Sequence, residues 1–427
     1  VVEFHTKNNA NIFAAAHRKS LKRWSMSTLA AALLMAGNYS LAAQPQSPHW
    51  VGSWAAAPQA NGASAGSKET VVRVNNQTIR QIVHTSIGGY KFRVRLSNAL
   101  GKTPLVIGEA RVALSTGKNT INPDTDQPLT FGGISSTTIP PGAVMYSDPV
   151  DMRFSSQADL AISLYLPEQT EAKTVHTLGK QTNYISTSGN HTKARALQTK
   201  STSTSWYFLT GVDILTHKDT TAVVAFGDSI TDGLNAAVDT NNRWTDYLAR
   251  RLLNRSDINT KGVLNLGISG NRILHEQVGP SALSRFDRDV IAQPGVTHLI
   301  LLEGINDIGY SDLPGSREKV SAKQIIAGYK QLIARAKTHA LKVIGATLLP
   351  YEGGSYYTRQ GEAKRQEVNK WIRESGAYDA VIDFDKTMRD PKRPTRLNPL
   401  FDSGDHIHPN ETGFLAMANA VNLDWLK

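Results

Sequence analysis

Two hydrophobic rhythms divide this chain. Between residues 71 and about 214 the apolar positions come in short alternating runs. Ile79, Ile82 and Val83 lead into a run ending near Ser86, and Phe92, Val94 and Leu96 fall on every second position. The stretches 105–114 and 160–166 repeat the pattern between clusters of Gly, Pro, Asn and Ser. Strands with one buried face read this way, so the region is predicted to be all-β, a sandwich or jelly roll. From residue 221 onward the rhythm changes. Compact apolar runs at 223–226, 263–266, 297–302, 343–349 and 381–384 suit a parallel sheet buried on both faces. Between them, 243–253, 322–340 and 362–373 are long enough for crossover helices, and 413–423 closes the chain. The predicted fold class is α/β. A parallel-sheet domain over 217–427 follows an all-β accessory domain over 44–216, with the polar link 217–220 between them.

The N-terminal segment 1–43 fits neither rhythm. Lys19, Lys22 and Arg23 precede a short apolar stretch at 29–36, and Ser40, Leu41, Ala42 and Ala43 supply small residues around a cleavage site. That order is the pattern of an export signal, too short to span a bilayer, and it predicts a secreted or periplasmic protein. Residues before Met26 read either as an upstream extension or as appended sequence. Without 1–43, which carries five Lys or Arg and one Glu, the formal charge falls from +11 to +7. The remaining positive charge is scattered, with no basic tract interleaved with aromatics, which argues against a nucleic-acid partner. Zero cysteines exclude disulfides, thiolate metal sites and a cysteine nucleophile.

Three blocks of reactive or turn-forming residues stand at predicted strand ends. Gly227, Asp228 and Ser229 follow the run 223–226; a tight turn there can lift a serine hydroxyl clear of the backbone, although Ser229 could equally cap a helix. Ile268, Ser269, Gly270 and Asn271 follow the second run, where Gly270 either permits a turn or brings an N–H close to a substrate oxygen. Gly304, Ile305, Asn306 and Asp307 follow the third. Asn306 could donate to a developing oxyanion, a contact whose loss typically costs about 3 kcal/mol, or close the strand in an Asx turn.

A fourth block, Asp405, His406, Ile407 and His408, precedes Pro409, Asn410 and Glu411 at the predicted start of the last helix. Its spacing lets the Asp405 carboxylate fold back on the His408 imidazole, supplying a base with its orienter. His406 competes for the base role but points to a different side of the turn. A metal cluster from Asp405, His406 and His408 is the other chemical reading; no HExxH pattern accompanies it. Neither GxGxxG nor GxxxxGK[ST] follows a strand, so no nucleotide or other cofactor is expected.

In these four blocks the chain resembles the SGNH or GDSL hydrolase family of lipases and esterases. The resemblance covers 221–427 and implies an SGNH-like three-layer hydrolase domain. It implies Ser229 as nucleophile, His408 as base and Asp405 as its orienter, with the N–H groups of Ser229 and Gly270 and the Asn306 side chain as oxyanion donors. Ile230 stands where many members have leucine. The preceding β region resembles a bacterial subgroup associated with deacetylation of xylan and related polysaccharides. The expected function is thus a serine carboxylic-ester hydrolase removing short acyl groups such as acetyl from a carbohydrate. A general short-chain esterase, arylesterase or lipase is the alternative, and a noncatalytic glycan-binding protein the reading from another class. The segment 309–319 and the aromatics Tyr351, Tyr356 and Tyr357 follow strand ends and could border the substrate pocket, by stacking on sugar rings or by packing a loop.

Overall fold

The structure, a computed structural model, describes residues 48–60, 72–216 and 219–427. The segment predicted to be an export signal lies outside them. In the β region seven strands frame the core: β1 (His49–Ala55), β2 (Gln77–His84), β3 (Gly89–Ser97), β4 (Glu109–Gly117), β5 (Asp159–Leu166), β6 (Asn183–Ser188) and β7 (Leu209–Thr216). One antiparallel sheet runs β1-β7-β3, and a second runs β6-β2-β5-β4. Alternation decides which side chains meet. Ile79 and Val83 of β2, Phe92, Val94 and Leu96 of β3, and Leu160, Ile162 and Leu164 of β5 share the main core. Ile82, Ala113 and Ala161 form a smaller cluster on the other face of the second sheet. The stretch 105–114 is not one strand: it breaks at Gly108, whose N–H donates to the Tyr165 carbonyl and where a Cβ would sit 2.8 Å from the Tyr165 ring.

The second region is a parallel sheet with flanking helices. Its strands are β8 (Thr221–Gly227), β9 (Lys261–Gly267), β10 (Val296–Leu302), β11 (Lys342–Ala346) and β12 (Ala380–Ile382), ordered β9-β8-β10-β11-β12. β8 lies buried along nearly its whole length, as a strand covered on both faces requires. The runs 343–349 and 381–384 leave the sheet early. The Leu348 N–H turns to the Asn369 side chain, and Asp383 caps a short helix that begins at Phe384. Six helices concern the site: α1 (Ser229–Asp232), α2 (Trp244–Leu253), α3 (Ile305–Asp312), α4 (Ala322–Thr338), α5 (Arg359–Glu374) and α6 (Glu411–Ala420). α2 buries Trp244, Leu248 and Leu252 at helical spacing, and a Ser321–Gln324 capping box starts α4. α5 starts three residues before its predicted first residue because Thr358 caps it, and α6 spans 411–420 because Asn410 does the same there.

The described residues of both regions belong to one compact unit. β9 is an edge of the parallel sheet, and the β region covers it. Ser86 Oγ accepts from the Val263 N–H at 3.0 Å, and the Gly52 carbonyl lies so close to Gly262 that a Cβ there would fall 2.1 Å from it. Gly52 N–H in turn donates to Pro294 O, while Arg95 reaches Gln293 at 2.9 Å. An open β edge exposes unpaired backbone groups; this contact removes that exposure. Among the described residues no helix is long and apolar enough to cross a membrane.

Candidate active site

Three strand ends and one C-terminal turn build the site. β8 stops at Gly227, where a Cβ would lie 2.2 Å from the Leu302 carbonyl, so a larger residue could not bring the chain so close to β10. Asp228 then caps α1 by accepting from the Ile230 N–H at 2.9 Å, and Ser229 is its first residue. Asp228 is fully buried, and that burial pushes its carboxyl up to about 7 despite the Ile230 bond.

Ser229 Oγ lies 2.7 Å from His408 Nε2, and His408 Nδ1 lies 2.7 Å from Asp405 Oδ2. Asp405 Oδ1 accepts from the Ile407 and His408 N–H groups, so the turn orients its own carboxylate. Partial burial works against ionisation of Asp405, but the bonds from His408 and the backbone hold its pKa well below the usual carboxylate range. An ionised Asp405 accepts only, so His408 carries its proton on Nδ1 and offers Nε2 as the acceptor of the Ser229 hydroxyl. His406 is turned away: its backbone sits at φ 63° and its ring meets Asp402 at 2.5 Å. Asn235, which the sequence reading did not single out, donates to Asp405 Oδ2 at 3.1 Å and to Ser403.

The Gly270 turn follows the end of β9. Asn271 N–H closes onto the Ile268 carbonyl, and Gly270 takes φ 80°, the left-handed position such a turn requires. Among the described residues its own N–H donates to no backbone acceptor. Asn306 lies in the first turn of α3; its amide donates to Asn271 O at 3.0 Å, leaving its second N–H free, and its carbonyl accepts from Tyr356 Oη at 3.2 Å. Tyr356 therefore fixes which way the amide faces. Tyr351 is buried, with its ring packed between Tyr356 and Tyr357 rather than presented to a cleft.

Buried charge holds these pieces in register. Arg285 donates to Gly227 O, Leu266 O and Asn271 Oδ1, joining two strand ends to the glycine turn. Asp307 accepts from Ile273 and Leu274, and burial pushes its carboxyl up to about 6 against those two bonds. Asp232 Oδ2 accepts from the Ser269 N–H at 2.8 Å. Arg285 and Asp232 were not singled out by the sequence, and Tyr356 was read only as a pocket aromatic, so only their contacts reveal these roles. Beside the turn opens a groove of about 620 Å³ bordered by Arg272, Val278, Tyr310, Leu313 and Arg317, with the predicted segment 309–319 on one wall. Among the described residues no group of three or more His, Asp or Glu side chains is arranged to hold a metal ion.

The parallel sheet with its flanking helices describes an SGNH-like α/β domain, and the comparisons find a likeness in the same region. The GDSL-like lipase/acylhydrolase family matches residues 225–415, so a GDSL/SGNH-like domain follows a mostly β region. Similar solved structures include an acetylxylan esterase from Geobacillus stearothermophilus (24% identity over 48% of this chain and 94% of that one, TM-score 0.38). A GDSL-like lipase from Bacteroides thetaiotaomicron VPI-5482 is 20% identical over 48% of this chain and 87% of its own, with TM-score 0.37. A member of the lipolytic G-D-S-L family from Veillonella parvula DSM 2008 is 21% identical over 47% of this chain and 95% of its own, with TM-score 0.35. No curated protein matches the chain.

Proposed function

We propose that this protein is a serine carboxylic-ester hydrolase that removes short acyl groups, such as acetyl, from a carbohydrate. The observation that carries the reading is the unbroken line from Ser229 Oγ through the His408 ring to Asp405, 2.7 Å at each step. Ser229 Oγ attacks the ester carbonyl as His408 Nε2 takes its proton, and the carbonyl oxygen becomes an oxyanion facing the N–H groups of Ser229 and Gly270 and the free N–H of Asn306. His408 next gives that proton to the departing alcohol, leaving an acyl-serine. Water then attacks the acyl carbon while His408 accepts its proton, and collapse releases the carboxylic acid and returns the proton to Ser229. Asp405 keeps the proton on Nδ1 throughout and offsets the charge of the imidazolium.

The polar groove beside the turn supports a hydroxylated alcohol. Arg272, Arg317 and Glu318 border it together with Ser316, a lining suited to hydroxyl groups, whereas Val278 and Leu313 favour the second reading of a general short-chain esterase. Hydrolysis of p-nitrophenyl esters from acetyl to octanoyl, compared with acetic acid release from acetylated xylan, tests this. Turnover highest on acetyl esters and acetylated xylan is expected, with none in Ser229→Ala; a preference for medium chains with no xylan deacetylation would replace the carbohydrate substrate with the general one.

A further inference from the structure

The β region reaches the hydrolase site through His176. His176, 5% exposed, lies with Nδ1 2.8 Å from the Ala57 carbonyl and Nε2 3.0 Å from Asp232 Oδ1. A carbonyl only accepts, so Nδ1 carries a proton. The Nε2 contact to a carboxylate then requires a second proton, shared between imidazole and carboxyl. The other oxygen of Asp232, itself 2% exposed, holds the Ser269 N–H, one residue before Gly270. Arg243 adds a bond from Nε to the Asp232 carbonyl at 2.9 Å, and its other arm reaches Gly179 O in the β region. Asn265 ties the adjoining Thr231 carbonyl to β9 at 2.7 Å.

We propose that His176 and Asp232 are positioning residues for ester hydrolysis: the pair fixes the Ser269–Gly270 turn so that the Gly270 N–H meets the oxyanion. This rests on the hydrolase reading above and makes the β region part of the reaction geometry. The groups facing the pair are few. Arg243 stands beside Asp232, Lys180 stands nearby, Trp206 lies against the His176 ring with centroids 5.6 Å apart, and His84 and Asp246 border the same small cavity of about 40 Å³. Burial and Arg243 both press the His176 pKa down, but Asp232 and the Ala57 carbonyl outweigh them and raise it above the ordinary histidine value. The proton is therefore held to a higher pH than an ordinary histidine would hold it and is lost as pH rises through that raised value, after which two electron pairs face one another and the anchor loosens.

The test compares Asp232→Ala, Asp232→Asn and His176→Ala in the full chain, with Ser229→Ala as reference, on p-nitrophenyl acetate. Asp232→Ala and His176→Ala should lose roughly 10- to 100-fold in kcat with KM within about twofold, part of the effect of deleting a whole oxyanion donor. Asp232→Asn can still accept from Ser269 while donating to a neutral His176, so it should recover most of that loss. Its kcat should also lack the decline expected of the wild type as pH rises through the raised His176 pKa. If the alanine variants do not fold, the Asp232→Asn pH profile decides alone: a profile identical to wild type overturns the proposal. So does a folded Asp232→Ala with kcat within twofold of wild type. An active Ser229→Ala would sink the hydrolase reading itself, whereas an inactive Ser229→Ala beside a normal Asp232→Ala sinks only this inference.

Discussion

The α/β region and the β region before it solve the same burial problem with different chemistry at their ends. In the α/β region each strand that matters stops in a turn that exposes backbone: Gly227 beside Ser229, Gly267 before the Gly270 turn, Leu302 before Asn306. Strands of the β region return to the sheet through antiparallel pairing, and their polar groups are consumed by it, as Arg80 is by Ser163, Asn119, Thr192 and Ala194. A parallel sheet must leave each strand through a loop at one edge, so it gathers reactive groups there; an antiparallel sheet has no such edge. The β region still matters to the site, because it covers β9 and supplies His176.

The comparison breaks most visibly at the proposed nucleophile and base. Ser229→Ala and His408→Ala should each lower kcat by about 10⁴-fold or more, while His406→Ala stays within a factor of about two. Steady-state turnover on p-nitrophenyl acetate measures this, and equal losses at His406 and His408 would overturn the assignment of the base. Asn306→Ala should lose about 10²- to 10³-fold in kcat with a folded protein, because one oxyanion donor disappears. A change confined to KM would instead assign Asn306 to ordinary substrate binding.

Smaller effects sharpen the contrast. Tyr356→Phe removes the bond that orients the Asn306 amide, a net interaction of about 1 kcal/mol, so kcat should fall roughly fivefold with little change in thermal stability. Unchanged kcat would mean that Asn306 is oriented without Tyr356. Ser86→Ala should do the reverse. It leaves the Val263 N–H on the covered edge without its acceptor and should cost about 1–3 kcal/mol in denaturant unfolding, with kcat unaltered. Undiminished stability would show that the β region covers the edge without supporting it.

Strand-end chemistry was legible because it is local. Ser229, Gly270, Asn306, Asp405 and His408 each sit in a short block whose spacing and position carry the signal, and the structure joins Ser229, His408 and Asp405 in one line and ties Asn306 to Asn271 in the Gly270 turn. The alternation in the β region and the compact runs of the sheet were legible for the same reason. Residues whose roles depend on long-range contact were not. His176 lies 56 positions before Asp232, and Arg285 sits 58 after Gly227, so no periodicity links them. For Tyr351 the sequence left sugar stacking and loop packing both open, and its buried ring packs against Tyr356 and Tyr357. The run 343–349 also left the sheet before its predicted end, where the Asn369 side chain became the partner of the Leu348 N–H.

The most direct test of the account is covalent trapping of the nucleophile. The full protein, treated with a fluorophosphonate and digested, should yield a single phosphonylated peptide with the adduct on Ser229, and esterase activity should fall in proportion to its formation. His408→Ala should label far more slowly, since the Ser229 proton would have no acceptor. Complete labelling of Ser229 with ester turnover intact, or loss of turnover with the adduct on another residue, would contradict the assignment of Ser229 as the reacting group.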